Sequence, residues 1–247
     1  MARQDAHPET RTRVDTGAGR EEEAFAPRAL RALEDGRPSV RLRAALEIGT
    51  TPHPSHVDGL IERCAVEPDF SVREMLTWAL TRHAPARTLP GLLEALRAER
   101  AQARSQALHT LSKIGDRRAW PAITRELLSD ADEEVARCAW RAAVVLVPEG
   151  EAAELAAVLV TRLGGGGRET RLSLSRALIA LGDAAAPALR GATTDPDPEV
   201  RRHAIATERL ARDPDAGFEF AIEEAKRIMV LGGDGAGGGE SGGGEEE

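Results

Sequence analysis

The chain repeats itself at a nearly fixed interval, and that limits its fold more than any other feature. Val40, Val72, Ala103, Val135, Thr170 and Val200 each open a stretch of the same pattern, at spacings of 32, 31, 32, 35 and 30 residues. A period of this length marks stacked supersecondary units, none of which can bury its apolar face alone. The residue after the reference position is Arg41, Arg73, Arg104, Arg171 or Arg201 in five copies and Ala136 in the fourth. Arginine is about one residue in eight overall, so composition does not explain that column. Four residues past the reference come Ala44, Leu76, Ala107, Ala139, Leu174 and Ala204, all apolar and one helical turn on. Five residues before it, four copies carry an acid: Asp35, Glu67, Asp130 and Asp195.

A second apolar-periodic stretch follows each reference helix, with Leu60 and Ile61, Leu92 and Leu93, Ile123 and Leu127, Leu155 and Leu159, and Phe218 and Ile222. Pro54, Pro90, Pro121, Pro187 and Pro214 are placed at the turns or at the starts of these second helices, where a missing N–H costs nothing. Gly115 and Gly182 follow Ile114 and Leu181 and suit helix C-caps. Each unit thus reads as a helical hairpin. A helix near 22–34 is expected to cap one end of the stack, and one near 217–231 the other. Gly164 to Gly167 read as a flexible loop, and as a hinge between the fourth and fifth units.

Composition agrees. Ala, Leu, Arg and Glu dominate, aromatics are 3% and tyrosine is absent, which favours helices over strands. The expected fold is an all-α, right-handed α-solenoid of about six hairpins over residues 22–231. Segments 1–21 and 232–247 are polar, aperiodic or glycine-rich, and are expected to be disordered. The net charge is -8, with five acids and no base in 232–247 and six acids against four arginines in 1–23, so the body is close to neutral. That balance counts against a nucleic-acid partner. The apolar run Ala142–Val147 is too short for a membrane span, and the first residues lack a secretory h-region, so a cytoplasmic location is expected.

The pattern acid-x-x-x-x-Val-Arg-x-x-Ala, a Leu-Gly end and a proline-led second helix resembles that of HEAT repeats. The best copies are DPDPEVRRHAIATERL from Asp195, DGRPSVRLRAALEIG from Asp35 and TRLSLSRALIALGDAAAPAL from Thr170. The likeness is to the short bacterial form, related to phycobilisome-lyase-type repeats, and covers about four-fifths of the chain. It implies an armadillo-like superhelix whose second helices line a concave face. It also implies a ladder of carboxylate–guanidinium contacts between repeats, built here from Asp35, Glu67, Asp130, Asp195, Arg41, Arg73, Arg104, Arg171 and Arg201, and interrupted at Ala136. HEAT-type di-iron hydroxylases carry His-Glu pairs; no histidine here is followed by glutamate.

Residue chemistry points to no catalytic site, metal or cofactor. His53, His56 and Cys64 lie close in sequence but lack the further ligands and support that a metal site needs. The glycine run continues as Arg168-Glu169-Thr170, not as a P-loop. Candidate partner-binding residues are Arg63, Arg97, Arg125, Arg162 and Arg190 of the second helices, with Trp78, Trp120 and Trp140 read as packing residues or as interface anchors. The second helices also carry Glu62, Glu94, Glu126 and Glu154, a mixed surface suited to a polar protein or peptide rather than to a phosphate backbone. The primary expectation is a non-catalytic protein-interaction scaffold. The alternatives are a lyase-like HEAT enzyme or subunit acting on a bilin, and a nucleic-acid-associated regulatory module.

Overall fold

The computed structural model describes residues 28–213 and 217–233, and among these every regular element is helical. A short helix α1 spans 28–32. Six hairpins follow. Their first helices are α2 (Pro38–Thr50), α4 (Phe70–Thr81), α6 (Ala101–Ile114), α8 (Glu133–Leu146), α10 (Arg168–Ala180) and α12 (Pro198–Arg212). Their second helices are α3 (Val57–Cys64), α5 (Pro85–Ala95), α7 (Arg125–Leu128), α9 (Ala152–Val160), α11 (Ala186–Ala192) and α13 (Phe218–Gly233). The two sets form two layers of an all-α solenoid, each hairpin packing on the next in chain order.

The periodic positions explain the stacking. All six residues four past the reference are buried, from Leu76, Ala139 and Ala204 at 0% to Ala107 at 3%. Alanine recurs where first helices meet, at Ala45, Ala79, Ala142, Ala143 and Ala206, and its small side chain lets helix axes approach closely. Leu80, Leu108, Leu146 and Leu159, also fully buried, fill the space between layers. Each such leucine stabilises the fold by about 1.5–3 kcal/mol relative to exposure. The main core runs without a break from Ala29 to Ala204, and a smaller cluster around Leu210, Phe218, Ala221 and Ala225 closes the C-terminal end.

Helix starts are written three residues before each reference. Asp69, Asp132 and Asp197 sit there as N-caps and accept from the backbone N–H of Val72, of Glu134 and Val135, and of Glu199. Pro38 and Pro198 occupy the next position. The end of α6 is set by Gly115, left-handed at φ 69° and bonded back to Leu111.

Several expectations need correction. Pro90 does not open α5; Pro85 does, and Pro90 lies inside the helix. The third unit has no continuous second helix. Pro121 falls in a 3-10 stretch, Arg117–Ala122, and only the single turn α7 follows. The glycine run is not a free hinge. The Gly164 N–H is bonded to His203 Nδ1 at 3.1 Å. A Cβ on Gly164 would stand 3.0 Å from the Val200 backbone nitrogen, so this left-handed glycine (φ 80°) lets the loop press directly against α12. Segment 1–21, residues 22–27 of the expected capping helix and Pro214 lie outside the described residues, as does 234–247 of the tail; Gly232 and Gly233 belong to α13.

Candidate functional site

The acid and arginine columns fall into two tiers. Every acid five before a reference turns back on its own loop: Asp35, Glu67, Asp130 and Asp195 accept the N–H of Arg37, Asp69, Asp132 and Asp197 at 2.8–2.9 Å. Every arginine of its column donates to carbonyls of the loop that precedes its own helix. Arg41 reaches Asp35 O, Arg73 reaches Glu67 O and Pro68 O, Arg104 reaches Ala98 O and Glu99 O, Arg171 reaches Gly166 O, and Arg201 reaches Asp195 O and Pro196 O. The recurring role of both columns is therefore to fasten the loop between repeats.

Contacts between repeats form at only some rungs. Arg41 makes a two-pronged pair with Glu67, both bonds 2.7 Å, and Arg104 does the same with Asp130 at 3.0 and 3.1 Å. Each pair is separated by 26 residues. Arg171 and Asp195 are only 24 apart, and Arg171 instead meets Glu199 at 3.3 Å. Arg73 has Ala98 at the corresponding place in the next repeat; its guanidinium lies 5.8 Å from the Phe70 ring centre. Asp35, first in its column, pairs with Arg37, whose hydrogen bonds hold the Asp35 carboxyl down at about 2.

The Glu67 site is the most heavily bonded. Its side chain is 0% exposed and takes a second guanidinium from Arg63 at 2.8 Å. Burial pushes this carboxyl up, but Arg41, the Asp69 N–H and Arg63 together bring it down to about 2. Arg63, expected as a partner-binding residue, is spent here, with its remaining nitrogen 3.5 Å from Glu34. Its i, i+4 spacing from Glu67 was a visible signal of that role.

The tryptophans divide by burial. Trp140 is 2% exposed and donates its indole N–H to Leu128 O at 2.8 Å, so it is a core residue and leaves the partner-binding set. Trp120 is half-buried and donates to Glu151 at 2.7 Å, tying the third unit to the fourth. Trp78 is 37% exposed and lies over Gly49, where a Cβ would come within 2.2 Å of the indole. Arg97, Arg125, Arg162 and Arg190 are exposed and form no ion pair among the described residues, although Arg125 is near enough to Glu126 to help lower its carboxyl pKa. Arg97 borders a groove of about 940 Å³ between α3 and α5, floored by Ile61, Pro90, Gly91 and Leu93.

The first-helix layer carries grooves that sequence reasoning did not single out. One of about 610 Å³ crosses α4, α6 and α8 beside Arg73, Glu74, Gln106, His109, Glu134 and Arg141. Another, also about 610 Å³, continues from Glu134 and Arg141 onto α10. Burial lowers the His109 pKa, against the pull of Glu74, whose Oε1 is 3.2 Å away. The Cys138 thiol is pushed up to about 12 by burial and stays protonated.

Histidines serve the frame. His203 accepts from Gly164 at Nδ1, so its Nε2 carries the proton and faces Arg171 O and Ser175 Oγ, each at 3.0 Å. Burial depresses it to about 4. Ser175 also meets Thr207 at 2.8 Å, completing a buried network between α10 and α12. Because Nε2 holds the proton, His203 does not activate Ser175 as a nucleophile. Among the described residues no group of three or more His, Cys, Asp and Glu side chains is arranged to hold a metal ion. Nor is any helix there long and apolar enough to cross a membrane.

A family match agrees with this geometry. The HEAT repeats family model matches residues 26–100 and 57–143. No curated protein matches the sequence. Among solved structures, the complex of CpcE and CpcF of phycocyanin lyase from Nostoc sp. PCC7120 aligns at 17% identity with a TM-score of 0.46, over 94% of this chain and 99% of that one. By that family match, residues 26–143 carry HEAT repeats, and the columns and stacked hairpins continue the same pattern through α10 and α12.

Proposed function

We propose that the chain is a non-catalytic scaffold that binds a protein partner through its second-helix layer. The observation that carries this reading is the set of four exposed guanidiniums, Arg97, Arg125, Arg162 and Arg190, that form no ion pair among the described residues. Most arginines elsewhere in the stack spend their donors on loop carbonyls or carboxylates. An unspent, planar guanidinium, such as that of Arg97 at the edge of the α3–α5 groove that Asp58, Glu62 and Glu94 also line, is the usual chemistry of an interface anchor. The interspersed Glu62, Glu94, Glu126 and Glu154 fit a partner that presents both signs of charge.

The test is affinity capture from host lysate with the wild type and with Arg97→Glu/Arg125→Glu/Arg162→Glu/Arg190→Glu, both verified as folded by circular dichroism. A protein retained by the first and lost from the second supports the reading. Equal retention, or retention of nothing by the wild type at low salt, overturns it.

A further inference from the structure

We propose that the groove between α8 and α10, on the opposite layer from the second helices, docks an acidic peptide segment of a partner protein that also carries apolar side chains. The proposal rests on the reading of the chain as a protein-binding scaffold and adds a second surface with a defined partner chemistry. Four cations line the groove, Lys113, Arg137, Arg141 and Arg176, against two acids, Glu134 and Glu169. The acids are already engaged. Glu134 is shared by Arg137 and Arg141, and Glu169 meets Arg168 outside the groove. Lys113 and Arg176 are exposed and have no carboxylate partner among the described residues. The site is thus locally cationic in a chain of net charge -8. An acid on the partner is the charge such a site lacks.

The floor defines the rest of the ligand. Val144, Ala177 and Ala180 form an apolar strip, and Val145 is 46% exposed beside it, in a chain that buries most of its large apolar side chains. A peptide that alternates carboxylates with leucine-like side chains satisfies both features. At about 610 Å³ the groove is the size of a ligand cleft, and through Glu134 and Arg141 it runs on into the groove over α4 and α6, so an extended segment has room to lie along the layer.

The test is fluorescence anisotropy on the full chain with a labelled octapeptide alternating glutamate and leucine. An octapeptide alternating arginine and leucine serves as control. The acidic peptide is expected to bind, more weakly at high salt, and Lys113→Glu/Arg176→Glu is expected to raise its Kd by about tenfold. Val145→Asp is expected to weaken it as well, while Arg97→Glu/Arg125→Glu leaves it unchanged. Absence of binding, equal binding of both peptides, or an unchanged Kd in Lys113→Glu/Arg176→Glu overturns the proposal. Binding that emerges only after deletion of 234–247 also overturns it, since the chain's own acidic tail would then be the occupant. Failure here leaves the second-helix surface standing, because the lysate experiment reads different arginines.

Discussion

Replacing Glu67 by glutamine removes one negative charge from between two guanidiniums and changes little else in shape. The carboxyl is fully buried and bonded to Arg41, Arg63 and the Asp69 N–H. Its value of about 2 lies below the ordinary 4.5, which corresponds to about 3 kcal/mol of stability at neutral pH. Removal of one partner from a buried ion pair costs a comparable 3–5 kcal/mol, because the remaining charges stay buried. Glu67→Gln is therefore expected to lose about 3 kcal/mol at pH 7, a fall in Tm of roughly 10 °C for a chain of this size. The folded pKa is depressed, so this stabilisation is complete above the unfolded value and fades as pH falls from 4.5 toward 2. The gap between wild type and variant should then shrink by roughly half at pH 3. Urea unfolding at pH 7, 5, 4 and 3 measures it, and amide exchange locates it in α2 to α4 rather than α10 to α12, since repeats communicate through neighbours. Arg41→Met/Glu67→Met should recover most of the loss. A variant within 0.5 kcal/mol of wild type, by the usual scale of neutral surface changes, would refute the argument; so would a gap independent of pH.

Other expectations follow from single contacts. Gly49→Ala forces a Cβ toward Trp78 and the Ala79 backbone, and should cost about 1–3 kcal/mol and shift tryptophan emission, with Trp78→Leu restoring the loss. Trp140→Phe strands the Leu128 carbonyl in the core and should cost about 1–3 kcal/mol in thermal unfolding, whereas Trp120→Phe, at a half-buried site, should cost less. His203 should remain neutral with its proton on Nε2 at pH 6 by nitrogen-15 NMR, and protonate only near pH 4. Since its folded value lies below the unfolded 6.5, its contribution to stability is present above 6.5 and declines from there toward 4. Titration of His203 near 6.5 would contradict its burial.

The sequence alone determined the units and their register. A position recurring about every 32 residues, followed by an apolar residue one turn later, defines which helix face points inward, and all six such positions are buried. That inference works because a solenoid's contacts lie between neighbouring units, so local periodicity is nearly the whole fold. The columns were legible as structural, but not their division of labour. Fastening of the loops by Arg73 and Arg201, and the failure of Arg171 to reach Asp195, depend on where the backbone carbonyls and the next repeat stand in space. Tertiary structure alone separated Trp140 in the core from Trp78 near the surface, and withdrew Arg63 from the exposed arginines. It also set Lys113 on α6 beside Arg176 on α10, cations 63 residues apart in the chain that line one groove because three first helices stack. Periodicity fixes which face of a helix is buried; which side chains share a surface depends on how successive helices are offset, and that offset is decided by packing.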